Sequence, residues 1–174
     1  MEAVYNNIKD NNFEYGNTSN QPATRNIEDV IKNIVESKTK DVSIIIHQIR
    51  SMLKDNTTEL SDLEIDDILL QLPIVLYDSM EEQEIVGMQL DMANQIYKEA
   101  QSEAYRLARG TISDKNAIAD LSTRAEQLEK IIYDRSYKII KQKFEMAVET
   151  LNAVKKVQAS RQQKYELGKF KTRF

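Results

Sequence analysis

Apolar residues recur at helical spacing between residues 26 and 72, where they form three runs. Steps of three and four residues place each run on one face of an α-helix. The first run follows Asn26, a suitable N-cap, the second starts at Asp41, and the third starts at a capping box formed by Ser61 and Glu64. The pattern predicts three short helices that pack together as an N-terminal bundle over residues 26–72.

Residues 73–163 predict a long helical hairpin. Pro73 suits the first turn of a helix, because the N–H group that proline lacks would be unpaired there. Gly110 suits the end of this helix, and Thr111 with Asp114 supplies a new capping box. We therefore expect a turn at 110–113 between antiparallel helices of about 55 and 70 Å, at 1.5 Å per residue. The predicted buried stripe of the first helix is Ile74, Tyr77, Ile85, Met88, Met92 and Ile96.

The second helix of this hairpin, from about Asp114 to about Gln163, changes its apolar pattern at Arg135. The earlier part has a narrow seam that one partner helix can cover, formed by Ile118, Leu121, Ala125, Leu128 and Ile132. The later part has an apolar arc that needs two or more partners. The N-terminal bundle or neighbouring subunits can supply them, and we expect a homo-oligomer because so elongated a monomer would bury little surface. The expected oligomerisation residues are Ile139, Ile140, Phe144, Ala147, Val148, Leu151 and Val154.

The composition supports an all-α fold throughout, since the 174 residues include only 4 Gly and 2 Pro. Residues 1–25 are rich in Asn and predict a flexible arm, and residues 164–174 predict a basic C-terminal tail. No apolar run approaches the roughly 20 residues that span a bilayer. The N-terminus also lacks the chemistry of a signal peptide. We expect a cytoplasmic protein without a membrane partner.

The residues that enzymes use are scarce in this sequence. The chain has no Cys and one His, His47, which excludes the common zinc sites and any Cys/His nucleophile pair. The four glycines are isolated, so no phosphate-binding glycine loop can form. We therefore expect a protein that is not an enzyme and needs neither a cofactor nor a metal.

The net charge of −4 conceals a strong polarity along the chain. Residues 1–134 contain 13 Lys+Arg and 25 Asp+Glu, whereas residues 135–174 contain 11 and 3. Such a chain presents its basic part to an anionic partner or to its own acidic half. Cations can neutralise phosphates and aromatic rings can stack on unpaired bases, so single-stranded DNA is the expected partner. The candidate residues are Lys98, Tyr105, Arg106, Arg109 and Lys115 near the turn, and Arg135, Lys138, Lys141, Lys155, Lys156, Arg161 and Lys164 beyond it.

Three segments between Gln89 and Glu166 carry a resemblance to a known family. They are Ala104-Tyr105-Arg106-Leu107-Ala108-Arg109-Gly110, then Asp134-Arg135-Ser136-Tyr137, then Leu151-Asn152-Ala153-Val154-Lys155-Lys156 before Ser160-Arg161. This stretch resembles the UvsY-like recombination mediator proteins of tailed phages. The resemblance implies a ring-like homo-oligomer that binds single-stranded DNA and helps a RecA-like recombinase displace single-strand binding protein. It also implies DNA contact in the region of Arg106 and Arg109, and assembly through the C-terminal helix.

Two alternatives remain open. The chain can be a structural or scaffolding helical oligomer whose basic tail engages acidic protein surfaces, or a small inhibitor that binds another protein. Neither alternative requires affinity for nucleic acid, so a titration with an oligonucleotide separates both from the DNA-binding interpretation.

Overall fold

The computed structural model describes residues 21–54 and 60–171, and within these residues it confirms the predicted all-α fold. The five described helices are α1 (Gln21–Lys38), α2 (Lys40–Lys54), α3 (Asp62–Leu107), α4 (Ile112–Ser122) and α5 (Arg124–Lys171). None of them combines the length and the apolar composition that a membrane span requires. Residues 1–20 of the predicted arm lie outside the described residues. The prediction that Asn26 caps the first helix is wrong, because α1 already begins at Gln21.

Helix α3 runs through Pro73 without a break, so the predicted helix boundary at this residue is wrong. The capping box at its start is formed as predicted: the Ser61 side chain accepts from the Glu64 N–H, and the Glu64 carboxylate accepts from the Ser61 N–H. A proline inside a helix costs about 3 kcal/mol relative to Ala. Buried residues on both sides of Pro73 lie on one face of α3 and offset this cost, because each contributes about 1.5–3 kcal/mol. They are Ile65, Ile68, Leu72 and Leu76.

The turn after α3 spans residues 108–111, slightly earlier than predicted. Ala108 is the C-cap of α3, and Thr111 is the N-cap of α4 with the predicted Thr111–Asp114 capping box. Gly110 adopts a positive φ of 118° between these two residues, a conformation that residues with a Cβ rarely adopt. A Cβ at Gly110 would also lie 2.9 Å from Oδ2 of Asp114, the carboxylate of the capping box. Gly110 is therefore required both because of its positive φ and because a side chain there would lie too close to Asp114.

Two buried threonines mark single-residue breaks between helices. Thr39 separates α1 from α2, and Thr123 separates α4 from α5. In each case the hydroxyl donates to the carbonyl oxygen four residues earlier, that of Val35 or Ala119, at 2.8 Å. Such back-bonding by Ser and Thr bends helices. The prediction of a single helix from Asp114 to Gln163 is therefore wrong in two respects, because the helix is interrupted at Thr123 and its second part continues to Lys171.

Helices α3 and α5 lie antiparallel along most of their length. Near the turn, α3 contacts α4, where Gln101 Nε2 donates to Asp120 Oδ1 at 3.1 Å. At the opposite end, Arg161 donates to Asp62 at 3.0 Å. Helix α1 packs mainly on α5 and α2 mainly on α3. All four contribute to one core cluster, so the short helices share a core with the long ones instead of forming a separate bundle.

The buried faces of the long helices differ from the predicted ones. Five of the residues predicted to line the buried stripe of α3 are exposed, namely Ile74, Tyr77, Met88, Met92 and Ile96, because α5 covers the opposite face. In the predicted narrow seam, Ile118, Leu121 and Ala125 are exposed, and Ala119 and Thr123 are buried instead. The break at Thr123 interrupts the helix here, so this region is not one straight helix.

The wide apolar arc of α5 finds its partners within the chain. Of the seven predicted oligomerisation residues, Ile140, Phe144, Ala147, Leu151 and Val154 are buried, and they belong to the core shared with α1, α2 and α3. Ile139 and Val148 remain exposed. The N-terminal helices thus supply the cover that the arc needs. The arc itself gives no reason to invoke a neighbouring subunit for the five buried residues.

Candidate nucleic-acid interface

The first group of candidate DNA-binding residues surrounds the turn between α3 and α4. Lys98, Tyr105 and Arg106 lie on the last three turns of α3, Arg109 lies in the turn, and Lys115 lies on α4. Four of them are exposed and Lys115 is half-buried. The Lys115 Nζ lies 5.6 Å from the centroid of the Tyr105 ring, within the range of a cation–π interaction. We call these five residues the tip cluster.

Local sequence explains why the tip cluster converges. Gly110 and the Thr111–Asp114 capping box reverse the chain within four residues, which brings α4 alongside the end of α3. Hydrogen bonds from the side chain and the backbone of Thr111 lower the pKa of Asp114 and keep its carboxylate charged. The same turn exposes Leu107 and Ile112. The tip thus combines cations, one aromatic ring and apolar side chains.

Acidic residues lie among the cations of the tip. Lys98 and Arg106 line a shallow hollow on α3 together with Glu99 and Glu103. Across the described part of the chain, neither of these cations forms an ion pair, and Arg109 forms none either. Their charges are therefore available to an anionic ligand. The two glutamates reduce the net charge of the hollow.

The second group of candidates follows α5 and is far from the tip. Arg106 and Arg161 lie at opposite ends of the α3–α5 pair, which the 46 residues of α3 span over about 70 Å. Six cations of this group are exposed: Arg135, Lys138, Lys141, Lys155, Lys156 and Lys164. The structure thus divides the predicted DNA-binding residues into two sites instead of bringing them together.

Two cations of the second group pair with acidic residues of the same chain. Lys138 contacts Asp134 one turn earlier at 2.7 Å, and Arg161 contacts Asp62 of α3 at 3.0 Å. The helix sequences explain this preference, because α3 contains 11 acidic and 2 basic residues, whereas α5 contains 6 acidic and 12 basic residues. For Lys138 and Arg161, engagement of the chain's own acidic side chains is therefore the observed role.

A half-buried acidic group near the start of α5 was not predicted from the sequence. Burial and the nearby charge of Glu126 raise the pKa of Glu129, and burial and the charge of Glu129 raise the pKa of Tyr133. The Oε2 atom of Glu126 is buried without a hydrogen-bond partner. The signal available in the sequence was the spacing of Glu126, Glu129 and Tyr133, which are three and four residues apart and therefore lie on one face of the helix. No acidic or histidine cluster in the described residues could hold a metal ion.

A polar junction at Thr39 was also missed. The Lys143 Nζ donates to the Thr39 hydroxyl at 3.1 Å, and Lys38 forms an ion pair with Glu82. These contacts connect the break between α1 and α2 to both long helices. Lys143 therefore has a structural role, unlike the exposed cations of α5, and the exposed His47 contributes to neither site.

Comparisons of the chain with protein-family models, curated proteins and solved structures find no match.

Proposed function

We propose that this chain is a phage-type recombination mediator that binds single-stranded DNA through the tip cluster. The observation that carries the proposal is that Lys115 lies over the Tyr105 ring beside the turn that also carries Arg106 and Arg109, with Lys98 about two turns earlier on α3. Cations of this kind neutralise phosphates, and an aromatic ring provides a stacking platform for an unpaired base. Single strands suit this arrangement better than duplex, because only unpaired bases can leave their stack and contact Tyr105.

The rest of the proposal follows from the resemblance to UvsY-like proteins. In this proposal the chain acts as a homo-oligomer in the cytoplasm and helps a RecA-like recombinase displace single-strand binding protein. Its own contribution is binding and positioning.

The test is a fluorescence-anisotropy titration with a labelled oligothymidylate at several salt concentrations. The variant R106Q/R109Q/K115Q should bind more weakly than wild type. Each lost phosphate contact lowers the salt slope by about 0.7, so three contacts should lower the slope of log K against log salt by about 2. A matched control is K32Q/K40Q/R50Q, which removes three exposed cations from α1 and α2.

Two results would overturn DNA binding at the tip. One is the absence of binding by wild type at low salt, and the other is an equal loss of affinity in the control variant. Tyr105 provides a separate readout: Tyr105→Leu should cost about 1–3 kcal/mol of binding free energy, whereas Tyr105→Phe should retain most of the affinity. The mediator role is tested by whether wild type, but not the tip variant, accelerates the displacement of single-strand binding protein by a RecA-type recombinase.

A second candidate function is a structural helical oligomer without nucleic-acid affinity. The observation that favours it is the large apolar surface left uncovered on α3. In that case oligothymidylate would not bind at any salt concentration, although the protein would still assemble. The titration above therefore separates the two candidates.

A further inference from the structure

Helix α3 has a second apolar face, opposite the one that packs on α5. Seven side chains on this face are between 40% and 82% exposed: Leu63, Leu70, Ile74, Tyr77, Met88, Met92 and Ile96. At about 100° per residue they lie within roughly 100° of the helix circumference and extend over about 50 Å. We call this set the outer stripe. No other described helix covers it.

The outer stripe is larger than the apolar patches that ordinary monomers expose. With side-chain areas of about 200 Å², its seven residues expose on the order of 900 Å². The largest apolar patch of a typical monomer covers about 300–600 Å², and a standard protein interface buries about 800 Å² on each partner. The area is thus sufficient for a stable interface.

The charges beside the outer stripe define what can cover it. Asp67, Asp78, Glu81, Glu84 and Asp91 are exposed on or beside it. Two outer stripes in contact would bring like charges together, which is destabilising. The partner surface must therefore be both apolar and basic.

Helix α5 offers such a surface on a flank that lies about a quarter turn from its buried face. Ile139, Met146 and Val157 are about 40–60% exposed there. At about 100° per residue they lie on nearly the same line along the helix. Arg135 and Lys164 lie within roughly 40° of this line, and Lys156 within about 100°. Lys138 lies at the same angle as Lys156 but pairs with Asp134, and the exposed Glu149 is the one acidic residue within this range between residues 135 and 164, so the face is net basic. We call this set the outer face of α5. It matches the outer stripe in its apolar residues and is opposite in charge.

We propose that the outer stripe of one copy binds the outer face of α5 of a second copy. This inference deepens the proposed function, because it names the surface through which a homo-oligomeric mediator assembles. The two surfaces are different, so the contact is head-to-tail and leaves one free surface of each kind on a dimer. Repetition of such a contact gives a closed ring or an open filament.

The experiment uses two variants that each remove one surface. L70E/Y77E adds carboxylates to the outer stripe, and M146E/V157E adds them to the outer face of α5. All four side chains are more than 40% exposed, so the fold should persist, and circular dichroism checks this. The matched control is M80E/Y165E, which changes two equally exposed residues about a quarter turn away from the two surfaces.

Light scattering after size exclusion, without oligonucleotide, gives the assembly mass. Wild type and the control should have a mass that is a multiple of the 20.1 kDa chain, and each surface variant alone should have the mass of one chain. An equimolar mixture of the two variants should form a dimer and nothing larger, because only one intact stripe and one intact α5 face remain in each pair. If a surface variant unfolds, the milder L70Q/Y77Q or M146Q/V157Q replaces it.

Three results would overturn the proposal. They are a single-chain mass for wild type, an unchanged mass for either surface variant, and a mixture that remains at the mass of one chain. The last result would indicate a symmetric contact or a different partner. DNA binding is measured separately, so a failed oligothymidylate titration with intact head-to-tail assembly would remove only the DNA part of the proposed function.

Discussion

Pro73 lies inside α3, and whether its replacement by Ala stabilises or destabilises the protein depends on the continuity of this helix. Replacement by Ala restores the N–H group that can donate to the carbonyl oxygen of Leu69 and removes the clash of the ring with that carbonyl. The intrinsic gain is about 3 kcal/mol in a helix interior. This gain is reduced by about 0.4–1 kcal/mol, because Ala leaves the unfolded chain more conformational freedom than Pro does. Since Pro73 is half-buried and its ring also loses some contacts, P73A should raise the free energy of unfolding by about 2 kcal/mol.

Equilibrium unfolding in urea, followed by circular dichroism, measures this change. For a chain of this length, 2 kcal/mol corresponds to a rise in Tm of about 4–8 °C. The control Q71A, at an exposed site two residues before Pro73, should change stability by less than about 0.5 kcal/mol.

A different fold predicts the opposite sign for P73A. If a new helix began at Pro73, its missing N–H would cost nothing, and Ala would destabilise the protein by about 0.4–1 kcal/mol through the unfolded state. A P73A variant that is less stable than wild type, or equally stable, would therefore refute a continuous α3 and the cost estimated for Pro73 within it.

Two further predictions concern the turn and the acidic group near the start of α5. G110A should destabilise the protein by about 1–2 kcal/mol because of the positive φ of Gly110 and the nearby Asp114. G168A has open space around the Cβ position in α5 and should stabilise the protein by about 0.5–1 kcal/mol. Urea unfolding of both variants measures these changes, and equal effects of the two substitutions would contradict the prediction. The raised pKa of Glu129 means that the folded state holds its proton more tightly than the unfolded state, so its contribution to stability falls as the pH rises through and above 4.5. E129Q should reduce this fall in urea unfolding between acidic and neutral pH, and an unchanged pH profile would contradict the assignment.

Interactions between residues three or four positions apart could be predicted from the sequence. Both capping boxes, Ser61 with Glu64 and Thr111 with Asp114, were correctly identified because their partners are fixed by helix geometry alone. The tip cluster was predicted for the same reason, since its residues flank a turn that Gly110 and Thr111 define. The ion pair of Arg161 was not predicted, because its partner Asp62 is far away in sequence, whereas the pair of Lys138 with Asp134, four residues apart, was within reach of the sequence and was missed.

The sequence by itself determined the helical class, the two capping boxes and the turn near Gly110, since these depend on local propensity and on contacts within one helical turn. Only the tertiary structure decided which apolar face of α3 is buried, because both faces have helical spacing and only the position of α5 distinguishes them. Tertiary packing also decided that α3 continues through Pro73 and that α1 and α2 cover the wide arc of α5. The physical reason is that burial of several apolar side chains outweighs a local cost of about 3 kcal/mol, and this burial depends on residues distant in the chain.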